Sequence, residues 1–446
     1  MKRIIAIISI IILVAYMAIS ALVLSRHGYL GGGYGINAEH MMYADSVIDN
    51  AIAQGEFPGA VLCVVRQALD GESMGRILYM KAYGNRQITS GRNASGELIA
   101  DTLPMTTDAI FDLASLSKSV GTTLAFMQLV ERGQVRLSDR VSQYIPSFKP
   151  WESTPKRRRD PIEREHITIE QLLTHTSGLP AAINVDKFLT HFSEKGDLSK
   201  QNLRDSLVGY ISTELPRLYR PEEKMLYSCI NYITLQAIIE SVTGERLDHY
   251  LANEVFTPLQ LKNTWYNHID EPVPYAADAP IAPTEVQADG KVLCGEVHDP
   301  TARIINRGVS GNAGLFSTAE DLAVLASMLM NDGVVRVNKR GLQGRVGADE
   351  LVRILSEASV QNIMSAPARL AEYGRTLGWA VGFQGDLNRK EQIINHTGYT
   401  GTSMAIDKER GVAVILLTNR VHPYDDGSLA RTRAVISNIV LGALDK

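Results

Sequence analysis

Cysteine is scarce in this chain, with three residues among 446, Cys63, Cys229 and Cys294. An odd, small number means that a disulfide framework does not hold the fold and at least one thiol stays free. The ten histidines and the cysteines show no H-x-x-x-H or C-x-x-C spacing, so metal chemistry has little support. Excess positive charge is also missing. Forty-five basic against forty-nine acidic residues leave a formal net charge of −4, and the one basic run, Lys156 to Arg159, reads as a solvated loop. Nucleic acid is therefore set aside as a partner. There is no internal repeat and no low-complexity stretch beyond one glycine-rich segment.

A hydrophobic proportion of 45% and a charged proportion of 21% are ordinary for a globular chain with a large core. Residues 4–24 form an uncharged run of 21 after Lys2 and Arg3, long enough to span a bilayer and longer than the usual core of a cleavable signal. The expectation is an uncleaved anchor with a cytoplasmic N-terminus, the alternative being a cleaved signal. Either one sends the rest of the chain across the membrane. Residues 1–27 are thus assigned to anchor or signal, and 28–37 to a glycine-rich tether.

Beyond the tether, residues 38–57 read as an amphipathic helix, and residues 59–66 and 76–84 as strands. Near the other end, segments 391–401, 402–409 and 411–419 read as three more strands, followed by a helix from about Ala430 to Leu444. One sheet built from both chain ends is implied, with a mainly helical middle. Helices there stop at Gly133, Gly244 and Gly333, the last opening with Ser317 and Glu320 in capping-box register. Segments 149–166, 181–215 and 268–312 lack clear periodicity and read as loops that shape a substrate site. Tyr-Gly-Asn at 83–85 reads as a turn at a strand end.

Ser115 precedes Lys118 by three residues at a helix start, so the hydroxyl and the amine share one face. A second Ser-x-x-Lys, Ser153 to Lys156, contains a proline and joins the basic run, so it reads as loop. Spacing alone decides nothing, and two further segments add to it: Tyr227-Ser228-Cys229 just before a helix, and His396-Thr397-Gly398 on a strand. A serine hydroxyl needs an adjacent base, and Lys118 is the candidate. Burial near a helix N-terminus is expected to lower its pKa. The Tyr227 phenol could relay the proton.

Ser-x-x-Lys, Tyr-Ser-x and His-Thr-Gly in that order resemble the serine β-lactamase and penicillin-binding protein superfamily, in its class C-like branch. Segments 167–180, 250–264 and 314–323 are similar to the branch's recurrent segments. Residues 295–317 resemble a block of low-molecular-mass penicillin-binding proteins of DD-carboxypeptidase type. The resemblance implies an α+β fold, an antiparallel sheet from both ends (about 38–112 and 372–446) flanked by helices, with an all-helical subdomain (about 113–371). It implies Ser115, Lys118 and Tyr227 as catalytic, an oxyanion hole from the backbone N–H groups of Ser115 and Tyr399, and substrate contacts from Cys229, His396, Thr397, Gly398 and Tyr399. No cofactor is implied.

Two departures matter. Cys229 stands where these enzymes usually have Asn, and His396 where many have Lys, so grip on a β-lactam's amide and carboxylate should be weaker. His175 reads as a loop-bracing residue, and His298-Asp299 as a structural hydrogen-bonded pair. The expected function is a serine acyl hydrolase at the outer face of the membrane, of DD-carboxypeptidase type on peptidoglycan stem peptides, with β-lactams as acylating ligands. An esterase or weak β-lactamase is the alternative within the class. A non-catalytic penicillin- or muropeptide-binding sensor is the rival outside it.

Overall fold

The structure, a computed structural model, describes residues 28–30, 35–67, 75–155, 157, 159–194, 203–340, 346–365, 367–382, 385–387 and 393–444. The N-terminal apolar run, Lys156 and Arg158 lie outside them. Among the described residues no helix is long and apolar enough to cross a membrane.

Among the described residues nine strands make the main sheet: β1 Gly28–Leu30, β2 Gly59–Arg66, β3 Arg76–Arg92, β4 Leu98–Pro104, β5 Arg375–Thr376, β6 Trp379–Val381, β7 Ile393–Thr397, β8 Ser403–Asp407 and β9 Val412–Thr418. Their order is β1-β3-β2-β9-β8-β7-β6-β5, with β4 on β3, and every pairing is antiparallel. The two chain ends meet at its centre, where Ala60 pairs with Thr418 and Arg66 with Val412. The sheet expected from both termini is therefore present.

Strands β2 and β9 read as unbroken apolar runs because both of their faces are covered. Val61, Cys63 and Val65 join one core with Ala413, Ile415 and Leu417. The intervening Ala60, Leu62 and Val64 join a second core with Val412, Val414 and Leu416. Side chains alternate across a strand, so each residue is committed to one layer. Helices α1 (Ala38–Ala53) and α5 (Ala430–Ala443) supply the second core through Met41, Ala44, Ile48, Ile436 and Val440. Helices α2 (Thr123–Glu131), α3 (Cys229–Thr243) and α4 (Ala319–Met330) supply the first. Each fully buried aliphatic side chain contributes about 1.5–3 kcal/mol.

Local signals explain the helix limits. Asn37 caps α1 by accepting from the His40 N–H at 2.9 Å. Gly244 ends α3 in the left-handed region at φ 72°. Helix α4 starts one residue later than the sequence suggests, because Thr318 and not Ser317 accepts from Asp321 N–H.

Four expectations change. The tether is tied down at both ends: Gly28–Leu30 pairs with Tyr79 to Lys81 on the edge of β3, and Asn37 N–H donates to Ala443 O at 2.7 Å. An open sheet edge offers a ladder that outweighs the loop preference of glycine. Tyr83–Asn85 is not a strand end but the middle of β3, where Gly84 takes φ 62° and the strand bends before running on to Arg92. Segment 181–215 contains helices Val185–Glu194 and Leu203–Thr213. The mainly helical middle also carries a small sheet joining Phe111–Asp112, Leu315–Ser317 and Trp265–Tyr266. That sheet sets up the start of the Ser115 turn.

Double-sided burial predicts an asymmetry between sheet centre and rim. Ile415→Ala, at a position with 0% exposure, should lower stability by about 2–5 kcal/mol. Leu98→Ala, on exposed β4, should stay within about 0.5 kcal/mol. Urea midpoints decide, and similar losses for both would contradict the layered core.

Candidate active site

Strand Phe111–Asp112 delivers the chain to a tight turn in which the Asp112 carboxylate accepts the Ala114 N–H at 2.8 Å. Ala114 is driven to φ 45°, an unfavourable conformation for a residue with a Cβ, and Ser115 follows it half-buried. The helix opens next as a wide turn, Lys118–Thr122, ahead of α2. The Asp112 carboxylate also accepts the His298 N–H at 2.7 Å, so one buried group fixes the Ser115 turn and the His298 loop together.

Lys118 is fully buried and its Nζ donates to Ser115 Oγ at 2.8 Å, Asn312 O at 2.8 Å and Cys229 Sγ at 3.5 Å. Three donors meeting three acceptors is the pattern of an ammonium. The expected lowering of its pKa is corrected here. Burial does act downward, but Cys229 and Tyr227 beside the amine outweigh it and the net shift is upward. An ammonium has no lone pair, so it can take the Ser115 proton only after releasing one of its own. Tyr227 stands beside it: its ring centre is 5.1 Å from Nζ, and its buried hydroxyl has no hydrogen-bond partner among the described residues.

The loop after helix Ile169–Leu173 holds Tyr227 in place. Leu226 N–H donates to His175 O at 2.9 Å and Ser228 N–H to His175 Nδ1 at 3.1 Å, while the His175 ring lies 4.4 Å from that of Tyr227. Ser228 caps α3 and donates to Pro180 O at 2.5 Å. His175 is thus the brace expected of it. Ser153 is apart from all this, accepting from the Glu163 N–H at 2.9 Å.

On the sheet side, β7 ends at His396-Thr397 and the chain passes Gly398 to Tyr399. Thr400 and Thr402 hydroxyls donate to Asp112 O at 2.6 Å and Leu113 O at 2.9 Å, joining this strand end to the nucleophile turn. A Cβ on Gly398 would sit 2.1 Å from Thr402 Oγ1 and 2.3 Å from Leu113 O, so only glycine fits. Arg420 donates to Tyr399 O at 2.7 Å and orients that peptide. Neither the Ser115 nor the Tyr399 N–H makes a hydrogen bond among the described residues. Both remain available as the donor pair of an oxyanion hole.

His396 is buried, with Nδ1 2.9 Å from Thr397 O and Nε2 unpartnered. Burial first, then Arg375 and Lys118, holds its pKa well below the usual histidine range, so it is neutral at pH 7. His175 is pushed well down too, by burial and then by the same two cations.

Two cavities open on Ser115. One, of about 440 Å³, is lined by Ser115, Tyr227, Thr397, Gly398, Tyr399 and Arg433 among others. The second, of about 450 Å³, is lined by Ser115, Glu285, His298, Asp299, Tyr399 and Asp425 among others. All the site residues expected from sequence except Cys229, Lys118 and His396 therefore line a cleft wall, and those three lie directly behind it.

Several residues escape a sequence reading. Arg375 places its guanidinium 5.4 Å from the Tyr227 ring centre, and Arg433 on α5 reaches the cleft. Arg433 donates to Thr402 O at 3.0 Å, has no partner at Nε and forms no ion pair among the described residues. Burial pushes its pKa down to about 10. His298 does not pair with Asp299 as expected; its Nε2 lies 3.1 Å from Glu285. None of these carries a local sequence signal, since only the fold brings them to Ser115.

Comparison with known proteins agrees with this geometry. The Beta-lactamase family matches residues 44–438. The chain belongs to that family. It is 33% identical over 406 residues to a Bacillus subtilis protein named N-acetylmuramyl-L-alanine amidase, spanning 87% of this chain and 84% of the relative. It is 30% identical over 407 residues, with the same coverage, to a Salmonella gallinarum protein named "Putative D-alanyl-D-alanine carboxypeptidase". Among solved structures, EstCE1, described as a hydrolase with promiscuous acyltransferase activity, superposes with a TM-score of 0.61 at 23% identity, over 90% of this chain and 98% of EstCE1. The chain is a beta-lactamase-family serine hydrolase with the α+β fold of that family.

Two outcomes follow. Gly398→Ala must push Tyr399 away from Ser115, so acylation by a nitrophenyl ester should fall about 10²–10³-fold, the worth of one oxyanion donor; a fall under threefold would contradict the close approach. Buried neutral His175 and His396 bind fewer protons folded than unfolded. Below the unfolded pKa of about 6.5 stability should therefore drop with falling pH by up to about 1.4 kcal/mol per pH unit for each. His396→Gln should flatten that slope by up to one histidine's share, read from urea midpoints between pH 7 and pH 5, and an unchanged slope would count against the buried neutral ring.

Proposed function

We propose that the protein is an acyl hydrolase of DD-carboxypeptidase type, forming an acyl-enzyme on Ser115 with peptidoglycan stem peptides. The observation that carries the reading is the 2.8 Å contact between Lys118 Nζ and Ser115 Oγ beside two unbonded backbone donors. Ser115 Oγ attacks the carbonyl while its proton passes by way of Lys118 and Tyr227 to the leaving amine. Charge that develops on the carbonyl oxygen is met by the Ser115 and Tyr399 N–H groups.

A carboxypeptidase has to recognise a terminal carboxylate. Neutral His396 lacks the charge for that, whereas Arg433 offers an uncompensated guanidinium on the same cavity wall. Peptidoglycan as the substrate is also supported by the names of the two relatives. The 21-residue apolar run supports a site of action outside the cytoplasm, with residues 1–27 as anchor or signal and 38–446 as the hydrolase domain. Cys229, a weak hydrogen-bonding group, makes β-lactams acylating ligands rather than good substrates.

Ser115→Ala should abolish covalent labelling by fluorescent penicillin and by an activated ester, and Ser153→Ala should leave both intact; labelling that survives Ser115→Ala refutes the assignment. Arg433→Gln should lower kcat/KM for a peptide ending in D-Ala-D-Ala about 10- to 100-fold, as loss of a charge-assisted bond implies. A neutral nitrophenyl ester should change under threefold. Equal losses for both would remove Arg433 from carboxylate recognition.

A further inference from the structure

The proposed mechanism uses the residues around Lys118 and leaves the second cavity unexplained. Glu285, His298, Asp299, Tyr399 and Asp425 share its wall with Ser115. His298 Nε2 lies 3.1 Å from Glu285 Oε2, so the carboxylate takes the ring N–H and the lone pair belongs to Nδ1. Among the described residues Nδ1 makes no hydrogen bond, and it is not sealed from solvent. The ring is held on its other sides: its backbone N–H is bound to Asp112 at 2.7 Å, and its face stacks on Tyr399 at 5.7 Å between ring centres. Tyr399 is the residue whose N–H faces the oxyanion position, and Asp112 is the residue that sets the nucleophile turn. An imidazole oriented by a carboxylate, with its free nitrogen open to a water-sized space beside the nucleophile, has the parts of a general base.

We infer that His298, oriented by Glu285, is a second catalytic base that activates the water which hydrolyses the Ser115 acyl-enzyme. The inference rests on the acyl-enzyme reading above. A water in the 450 Å³ cavity gives one proton to His298 Nδ1 as its oxygen bonds to the acyl carbon. The carbon–Oγ bond then breaks, the acid departs, and Ser115 Oγ takes a proton from the Lys118 ammonium. The proton returns from His298 through cavity water to Ser115 Oγ, which passes its own proton on to Lys118 Nζ at 2.8 Å. The imidazolium formed in between faces the Glu285, Asp299 and Asp425 carboxylates, with Arg303 the cation on that wall. Acylation and deacylation thus use bases on different walls of the cleft, and a residue that merely shaped the fold would slow both.

Stopped-flow hydrolysis of p-nitrophenyl acetate by the purified protein, with intact-mass analysis of the adduct, separates the two steps. His298→Gln should leave the rate of the nitrophenolate burst within about twofold while steady turnover falls about 100-fold, the usual worth of a general base. The Ser115 acetyl adduct should accumulate. Hydroxylamine, a nucleophile that needs no base at neutral pH, should discharge the adduct and restore turnover. Glu285→Gln, which keeps the ring, should show the same split to a smaller degree and carries the test if His298→Gln fails to fold. A burst slowed in step with turnover, or turnover that does not change, overturns the inference. Absence of any Ser115 adduct in the parent protein overturns the acyl-enzyme reading and this one with it.

Discussion

A buried ammonium organises this molecule. Lys118 has no contact with solvent, and a charge in that position is tolerated only when every donor is met. Its acceptors come from the Ser115 turn, from Cys229 at the head of α3 and from the Asn312 carbonyl, three stretches far apart in sequence. Satisfying one cation therefore brings the nucleophile, the start of the tyrosine helix and the 295–317 block to a single point. Removal of any one acceptor leaves a buried donor unpaired. The requirement for charge satisfaction and the requirement for chemistry select the same arrangement.

The sheet provides the opposing wall. Thr400 and Thr402 bond to the carbonyls of Asp112 and Leu113, and Gly398 allows the two backbones to approach more closely than any side chain would permit. The Ser115 and Tyr399 N–H groups, proposed as oxyanion donors, are main-chain groups held by this contact, so their geometry depends on backbone packing and not on side-chain identity. Asp112 extends the same register to the His298 loop.

Much of the fold was legible because it rests on patterns with local causes. The apolar runs of β2 and β9, the caps at Asn37 and Ser228 and the glycine stop at Gly244 are readable from neighbouring residues. Ser115, Lys118, Tyr227 and His396 were legible as short motifs in chain order. Other features depend on tertiary context. Gly28–Leu30 became a strand only because β3 presents an edge, and Val185–Glu194 and Leu203–Thr213 became helices in a segment with poor periodicity. Arg375, Arg433 and Glu285 are remote from the motifs and become neighbours of them only after folding. The direction of the Lys118 shift differs from expectation for a related reason: the balance between burial and the neighbouring Cys229 and Tyr227 depends on their distances from the amine, which only the fold sets.

Pairing of β2 with β9 joins Ala60 to Thr418, so the central ladder cannot close until nearly all of the chain is available. Contacts of such long range make folding slow and late. During synthesis, β2 must wait with both apolar faces uncovered. The central sheet thus stays open for as long as the C-terminal strands have not emerged, a state vulnerable to aggregation without a chaperone. The order of the strands in the sheet sets the time at which the enzyme can first exist.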